Sequence, residues 1–178
     1  MQEYGRILLP VPNKLAVIIL NWRIINMDFK DQPFIPMLFG GDINTYSVAR
    51  AFYEEYQVKT YVFGKFPSGP SYNSNIIEYH ADLKIDTDDV FMKTVRDFAA
   101  AHADKTVLTI GCGDSYVALC SRHKDEMPEN VVAPYIDFEL MDRLQQKELF
   151  YRLCREHDID FPDTLVFRYG MDLDFELP

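Results

Sequence analysis

The sequence has few of the residues that mark several common protein classes. Its three cysteines, an odd number, form no CxxC pair; they are Cys112, Cys120 and Cys154. Free thiols in a reducing compartment fit this usage better than a disulfide framework, and the spacing does not suit a zinc site. Lysines and arginines form no cluster, and the formal charge is −10. Because a basic surface for phosphate backbones is missing, we do not expect nucleic-acid binding.

Long apolar runs are also missing. The longest purely apolar run is LAVIIL at residues 15–20, whereas a helix that crosses a bilayer needs about 20 apolar residues. The NWRIIN that follows this run lacks the small residues of a signal-peptide cleavage site. The sequence therefore predicts a cytoplasmic protein without a membrane span.

Complete nucleotide-binding and metal-binding motifs are absent as well. The chain contains no GxxxxGK[ST]. It has two glycine turns, but Thr45 and Tyr116 stand where the third glycine of GxGxxG belongs, so a dinucleotide site has weak support. The histidines lack ligand spacing, and core or surface roles are favoured for His80, His102, His123 and His157.

The residues that are present predict an α/β domain. With 178 residues, 48% of them hydrophobic, the chain can bury the core of one domain with appendages. Short β-type runs alternate with helix-period segments, which is typical of a largely parallel sheet. Strands are predicted at 34–39, 59–63, 76–80, 106–110, 131–135 and 164–167. Helices are predicted at 44–56, 88–102, around 116–120, and from 137 to 157 with a break near Gln145.

The remaining segments are predicted to be less regular. GKFPSGPSYNSN at 64–75 combines glycine, proline, serine and asparagine, and we expect an exposed loop on the rim of the sheet. Residues 1–32 fit the α/β pattern poorly and are interpreted as an N-terminal extension. Met27 is an alternative start of the natural protein under this interpretation.

Two glycine turns follow predicted strands and precede predicted helices. The first is Gly40-Gly41-Asp42 followed by Asn44, and the second is Gly111-Cys112-Gly113-Asp114. In an open α/β sheet, both turns face one crevice at the carboxyl ends of the strands. The amides at a helix start favour an anionic group there, such as a carboxylate or a phosphate. The alternative is that the glycines only make tight turns and that the polar residues cap helices.

Cys112 has two interpretations. Its place at a helix start would lower the thiol pKa and favour a nucleophile. However, no histidine is linked to it by a motif, and a small, partly buried cysteine is the favoured interpretation.

Three segments together resemble a known family. They are FIPMLFGGDINTYSVARAFYEEY from residue 34, VLTIGCGDSYVALCSRHKDEM from residue 107, and APYIDFELMDRLQQKELFYRLCREHDIDFPDTLVF from residue 133. In this order they are similar to the N-terminal region of ATP-grasp carboxylate–amine ligases, in particular to ligases that act on a peptidoglycan precursor.

The resemblance implies that residues 33–167 are a pre-ATP-grasp domain, a Rossmann-like three-layer α/β unit with a mostly parallel sheet. Such ligases use ATP and magnesium to activate a carboxylate as an acyl phosphate, which an amine attacks to give an amide. The resemblance implies a small carboxylate or amino-acid substrate, and an ATP-grasp region in cis or in trans. Residues 168–178 are then the start of a linker. We expect the chain alone to be incomplete for catalysis and not to bind ATP or magnesium tightly.

The family's site residues carry over only in part. The loops that face the family's active-site cleft match Gly40, Gly41, Asp42, Asn44, Gly111, Cys112, Gly113 and Asp114. Lys147 matches a lysine that approaches the nucleotide, although Gln146 replaces the commoner aspartate before it. An ordinary solvated lysine is the alternative. No catalytic or metal-binding residue is assigned within this chain.

Two other functions remain open. VLTIGCGDS also resembles the first motif of S-adenosylmethionine methyltransferases, whose glycine strand comes first in the sheet with several strands after it. Here the sequence after Gly113 is mostly helical in pattern, which disfavours that function. The third possibility is a non-catalytic interaction domain that has this fold without the chemistry.

Overall fold

The computed structural model describes residues 28–171. Most of the predicted N-terminal extension, including LAVIIL and Met27, and part of the predicted linker lie outside this range. Five strands are present in it: β1 Phe34–Phe39, β2 Thr60–Gly64, β3 Ile77–Ala81, β4 Thr106–Gly111 and β5 Val131–Val132. The α-helices in this range are α1 Ile43–Tyr56, α2 Gly69–Tyr72, α3 Asp88–Ala101, α4 Asp114–Arg122, α5 Phe138–Gln145 and α6 Lys147–Glu156.

The strands form one sheet in the order β3-β2-β1-β4-β5, and every neighbouring pair is parallel. The central strand β1 is buried along almost its whole length, which is typical of a parallel sheet with helices on both faces. Pro36 lies within β1, but the register with β2 begins only at Met37. The missing N–H of Pro36 therefore interrupts no bond of that register.

Helices cover both faces of the sheet. On one face, Ala49 of α1 packs with Leu38 and Val62. On the other face, α3 and α4 enclose a larger core that includes Met37, Phe39, Phe91, Val95 and Leu119. The predicted α/β fold with three layers and a Rossmann-like arrangement is confirmed.

Two of the predicted strands need correction. Residues 164–167 form no strand, and Leu165 and Phe167 are more than half exposed. A β-type run becomes a strand only where a neighbouring strand offers unpaired backbone groups, and this run has no such neighbour among the described residues. The run at 131–135 forms only the two-residue strand β5, since Pro134 has no N–H to donate.

The helices follow the predictions more closely. The predicted break near Gln145 is confirmed, because α5 ends at Gln145 and α6 begins at Lys147. The 64–75 segment includes the short helix α2, which the composition did not indicate. None of the helices in the described range has the length and apolar character that crossing a membrane requires.

Candidate functional site: a crevice between two glycine turns

The two glycine turns lie side by side. Strands β1 and β4 are neighbours, with Phe39 opposite Gly111 in the register. The N–H of Cys112 donates to the carbonyl of Phe39 at 2.8 Å, and the N–H of Gly40 donates to Phe63 at 3.0 Å. In the sheet, β2 and β3 lie on one side of β1, and β4 and β5 lie on the other. The turns therefore leave the sheet at the point where its strand order reverses, which is where open α/β sheets bind ligands.

The first turn requires glycine for steric reasons. Gly40 has a φ of +146°, and a Cβ there would collide with the hydroxyl of Thr45. A Cβ on Gly41 would lie 2.5 Å from the phenol oxygen of Tyr79. Asp42 then caps α1, because its Oδ1 accepts from both the N–H and the hydroxyl of Thr45 at 3.1 Å. The alternative interpretation, in which the polar residues of the turns cap helices, is thus correct for Asp42.

The second turn is equally compact. A Cβ on Gly111 would lie 2.6 Å from the backbone of Tyr116, so the start of α4 packs directly on the end of β4. The N–H of Gly111 donates to the phenol oxygen of Tyr135 at 2.7 Å. Gly113 occupies the N-cap position of α4 without a side-chain cap.

A third wall comes from the loop after β2. Lys65, Phe66, Ser68 and Gly69 line the same crevice together with Tyr79. The loop is fixed by two hydrogen bonds: Tyr79 Oη donates to the carbonyl of Phe66 at 2.8 Å, and Ser71 Oγ donates to the carbonyl of Asp42 at 3.2 Å. With these walls the crevice has a volume of about 450 Å³, within the range of small-molecule sites.

The structure brings together most, but not all, of the residues predicted for this site. Five line the crevice: Gly40, Gly41, Asp42, Cys112 and Gly113. The others do not line it. Asn44 is exposed and donates to Asp42 Oδ2 at 3.2 Å. Gly111 lies in β4 itself, and Asp114 and Lys147 begin α4 and α6.

Lys147 begins α6, directly after the helix break that follows α5. Gln145 Nε2 donates to the carbonyl of Asp114 at 2.9 Å, which joins the end of α5 to the start of α4. The lysine itself is exposed. Its predicted position near a nucleotide stays a prediction.

The loop residues Lys65, Phe66, Ser68 and Gly69 were missed by the sequence analysis. The strand order could have indicated them. In the most common doubly wound order, β2 is adjacent to β1, so the loop at the carboxyl end of β2 lies beside the first glycine turn. The glycine and proline content of the loop indicated exposure, which is correct for Phe66. It could not indicate that the loop folds back over the first turn.

The raised pKa of the Cys112 thiol disfavours nucleophilic chemistry at this residue. Burial raises the pKa of Cys112 to about 11, although a hydrogen bond with Thr45 opposes this shift. Burial also raises the pKa of Tyr116, another crevice residue, to about 12. Both side chains are neutral near pH 7, which supports the interpretation of Cys112 as a partly buried, unreactive cysteine.

Comparison with known proteins gives one informative similarity. The chain is similar to D-aspartate ligase. The sequence of that enzyme from Enterococcus faecium (strain Aus0004) is 36% identical over 160 residues, a match that covers 84% of this chain. The chain spans 38% of the length of the ligase. No protein-family model and no solved structure matches the chain.

The similarity to D-aspartate ligase supports the resemblance to a carboxylate–amine ligase that the three sequence segments indicated. An identity of 36% over most of the chain supports a D-aspartate ligase-like family. The more specific assignment to a pre-ATP-grasp domain, and the roles of individual crevice residues, stay predictions.

Proposed function

We propose that residues 33–167 form the N-terminal, substrate-side domain of a cytoplasmic, ATP-dependent carboxylate–amine ligase of the D-aspartate ligase type. The observation that carries this proposal is the 36% identity to D-aspartate ligase over 84% of the chain. The crevice at the strand-order reversal supports it, because ligands of open α/β sheets bind at this place. In the proposed reaction, a carboxylate activated as an acyl phosphate is joined to the amine of a peptidoglycan precursor.

The crevice would contribute positioning to that reaction. Its walls are fixed by close glycine contacts and by the hydrogen bonds of Tyr79 and Ser71, and rigid placement of a substrate lowers the entropic part of a barrier. The starts of α1 and α4 direct the positive ends of their dipoles to the side of the sheet where the crevice lies. A small carboxylate or amino acid is the ligand class that this arrangement favours.

ATP and magnesium would be bound by an ATP-grasp region in cis or in trans. The described residues contain no group of three or more histidines, cysteines, aspartates or glutamates that is arranged to hold a metal ion. We therefore assign no magnesium ligand among these residues and place no phosphoryl-transfer step on them. The part of the reaction that this domain would perform is substrate binding.

Calorimetric titration of the purified chain tests the proposal. We expect weak binding of D-aspartate, no binding of S-adenosylmethionine, and no hydrolysis of ATP by the chain alone. Ser68→Trp, in the crevice wall, should abolish D-aspartate binding. Asn73→Trp, an exposed residue of the same loop outside the crevice, is the matched control and should leave binding unchanged.

Three results would contradict the proposal. Binding of S-adenosylmethionine would favour the methyltransferase function instead. Complete lack of D-aspartate binding would favour the interaction domain. ATP turnover by the chain alone would show that its catalytic parts lie within these residues.

A further inference from the structure

The crevice contains one cationic side chain among its described lining residues, Lys65. The other charged residue in the wall, Asp42, uses both carboxylate oxygens within the first turn of α1: Oδ1 accepts from Thr45 and Oδ2 from Asn44. In a chain with a formal charge of −10, Lys65 is thus the cationic group that the described crevice lining offers to a ligand. An anionic ligand group is the complement of this ammonium.

The structure positions the ammonium group of Lys65. Lys65 follows directly after β2, and the carbonyl of the preceding Gly64 accepts from Asp82 N–H at 2.9 Å. Lys65 Nζ donates to Asp86 Oδ2 at 2.7 Å, and Asp86 lies outside the crevice lining. An ammonium has three donors, so the bond to Asp86 leaves donors for a ligand. The side chain is 38% exposed, and Lys65 is one of the residues that line the crevice.

Lys59 lies at the other end of the same strand and provides a comparison. It precedes β2 and pairs with Glu78 at 3.4 Å, as Lys65 follows β2 and pairs with Asp86. The two lysines have similar exposure, 40% and 38%. Only Lys65 lines the crevice. Partly exposed ion pairs of this kind contribute little to stability, so a stabilising role would not distinguish Lys65 from Lys59.

We propose that Lys65 is the residue that selects for an anionic ligand in the crevice: its ammonium, held by Asp86, donates a hydrogen bond to a carboxylate of the bound substrate. This inference rests on the proposed function. It assigns a specificity role to a residue of the loop after β2, which neither glycine turn contains. The neighbouring Phe66, which also lines the crevice and is 57% exposed, would then cover the ligand from the same loop.

An NMR titration of the ¹⁵N-labelled chain with D-aspartate tests the inference. The amide signals of Gly40, Gly41 and Gly113 report on binding in the crevice. We expect Lys65→Gln to weaken binding about tenfold or more, because a charge-assisted hydrogen bond is lost. Lys65→Arg keeps the charge and should stay within about threefold of the wild type. Lys59→Gln is the matched control and should leave the affinity unchanged.

The outcomes separate this inference from the proposed function. If the wild type binds D-aspartate at these amides and Lys65→Gln binds it equally well, Lys65 is not the selecting residue, while the proposed function stands. An equal loss in Lys59→Gln would show a general charge effect and would also overturn the inference. If the wild type shows no crevice shifts with D-aspartate, both proposals fail. Unfolding curves of each variant verify that the affinities belong to folded chains.

Discussion

At the scale of single residues, Gly64 shows how closely the crevice walls are packed. A Cβ at this position would collide with Tyr79 Oη and with the carbonyl oxygen of Gly40. The first glycine turn and Tyr79 thus both contact Gly64 so closely that this position has no room for a side chain. Neither neighbour moves easily, because Tyr79 Oη is hydrogen-bonded to the carbonyl of Phe66, and the N–H of Gly40 to the carbonyl of Phe63.

We therefore expect Gly64→Ala to lower the free energy of unfolding by about 1–3 kcal/mol through overpacking. Gly113→Ala is a suitable control, because its nearest neighbour would be 3.9 Å away and its φ is −158°. That variant should change stability by no more than about 0.5 kcal/mol. Urea denaturation of both variants measures the difference, and equal effects would contradict the packing explanation.

Cys112 leads to a second prediction at this scale. Burial raises its pKa to about 11, so only ~0.1% of the thiol is ionised at pH 8. We expect the folded protein to resist alkylation at Cys112 by iodoacetamide at pH 8, whereas the urea-unfolded chain reacts. Mass spectrometry of the labelled peptides measures this. Reaction of folded Cys112 as fast as free cysteine would show an activated thiol.

At the scale of elements, α1 depends on its first turn. Asp42 is the N-cap, and it accepts hydrogen bonds from Thr45 and Asn44. Asp137 occupies the same position at α5, but its side chain makes no cap bond. Comparing substitutions at these two aspartates therefore measures the free energy of the cap hydrogen bonds apart from other effects of removing an aspartate.

Asp42→Ala should lower the free energy of unfolding by about 1 kcal/mol, and up to about 2 kcal/mol, because the start of α1 loses its acceptor. Asp137→Ala should cost less, since it loses only an ion pair with Lys124 in which the Asp137 side chain is 80% exposed. Thermal and urea unfolding measured in parallel will rank the variants. The reverse order would show that the cap of α1 contributes little.

The elements differ in how far the sequence predicted them. The strand β1 is a continuous apolar run, the helices α1 and α3 each have an apolar face at helical spacing, and all three lie close to their predicted bounds. The runs at 131–135 and 164–167 have similar local composition, but pairing of a strand depends on neighbours elsewhere in the chain. The loop after β2 was predicted to be exposed, and its hydrogen bonds to Asp42 and Tyr79 span long sequence distances that composition does not encode.

At the scale of the whole molecule, an ion-pair cluster joins the helices of one layer. Asp88 at the start of α3 accepts hydrogen bonds at 2.7 Å from Arg122 and from His123 Nε2, at the end of α4. The bond from Arg122, followed by the bond from His123, holds the pKa of Asp88 below its usual range. A carboxyl with a lowered pKa stabilises the fold above its unfolded pKa, and loses this effect as the pH falls through its folded pKa.

We expect Asp88→Asn to destabilise the protein at pH 6, by less than about 1 kcal/mol because the group is exposed. The difference from the wild type should shrink as the pH falls below about 4. Asp89→Asn is the control, because Asp89 shares the first turn of α3 but not these two contacts. Urea unfolding at several pH values tests this, and a difference that is independent of pH would contradict it.

The sequence by itself determined the α/β class, the strand at 34–39, the two glycine turns and the resemblance to a carboxylate–amine ligase. These features are local, or depend on the order of segments along the chain, so they can be read from periodicity, turn residues and similarity. Only the tertiary structure decided that β1 and β4 are neighbouring strands, which places the two turns side by side at the predicted crevice. It also decided that the loop after β2 forms a further wall of the crevice and that Lys65 is the cation in its described lining. Those features arise from strand order and from hydrogen bonds between distant segments, which no local pattern specifies.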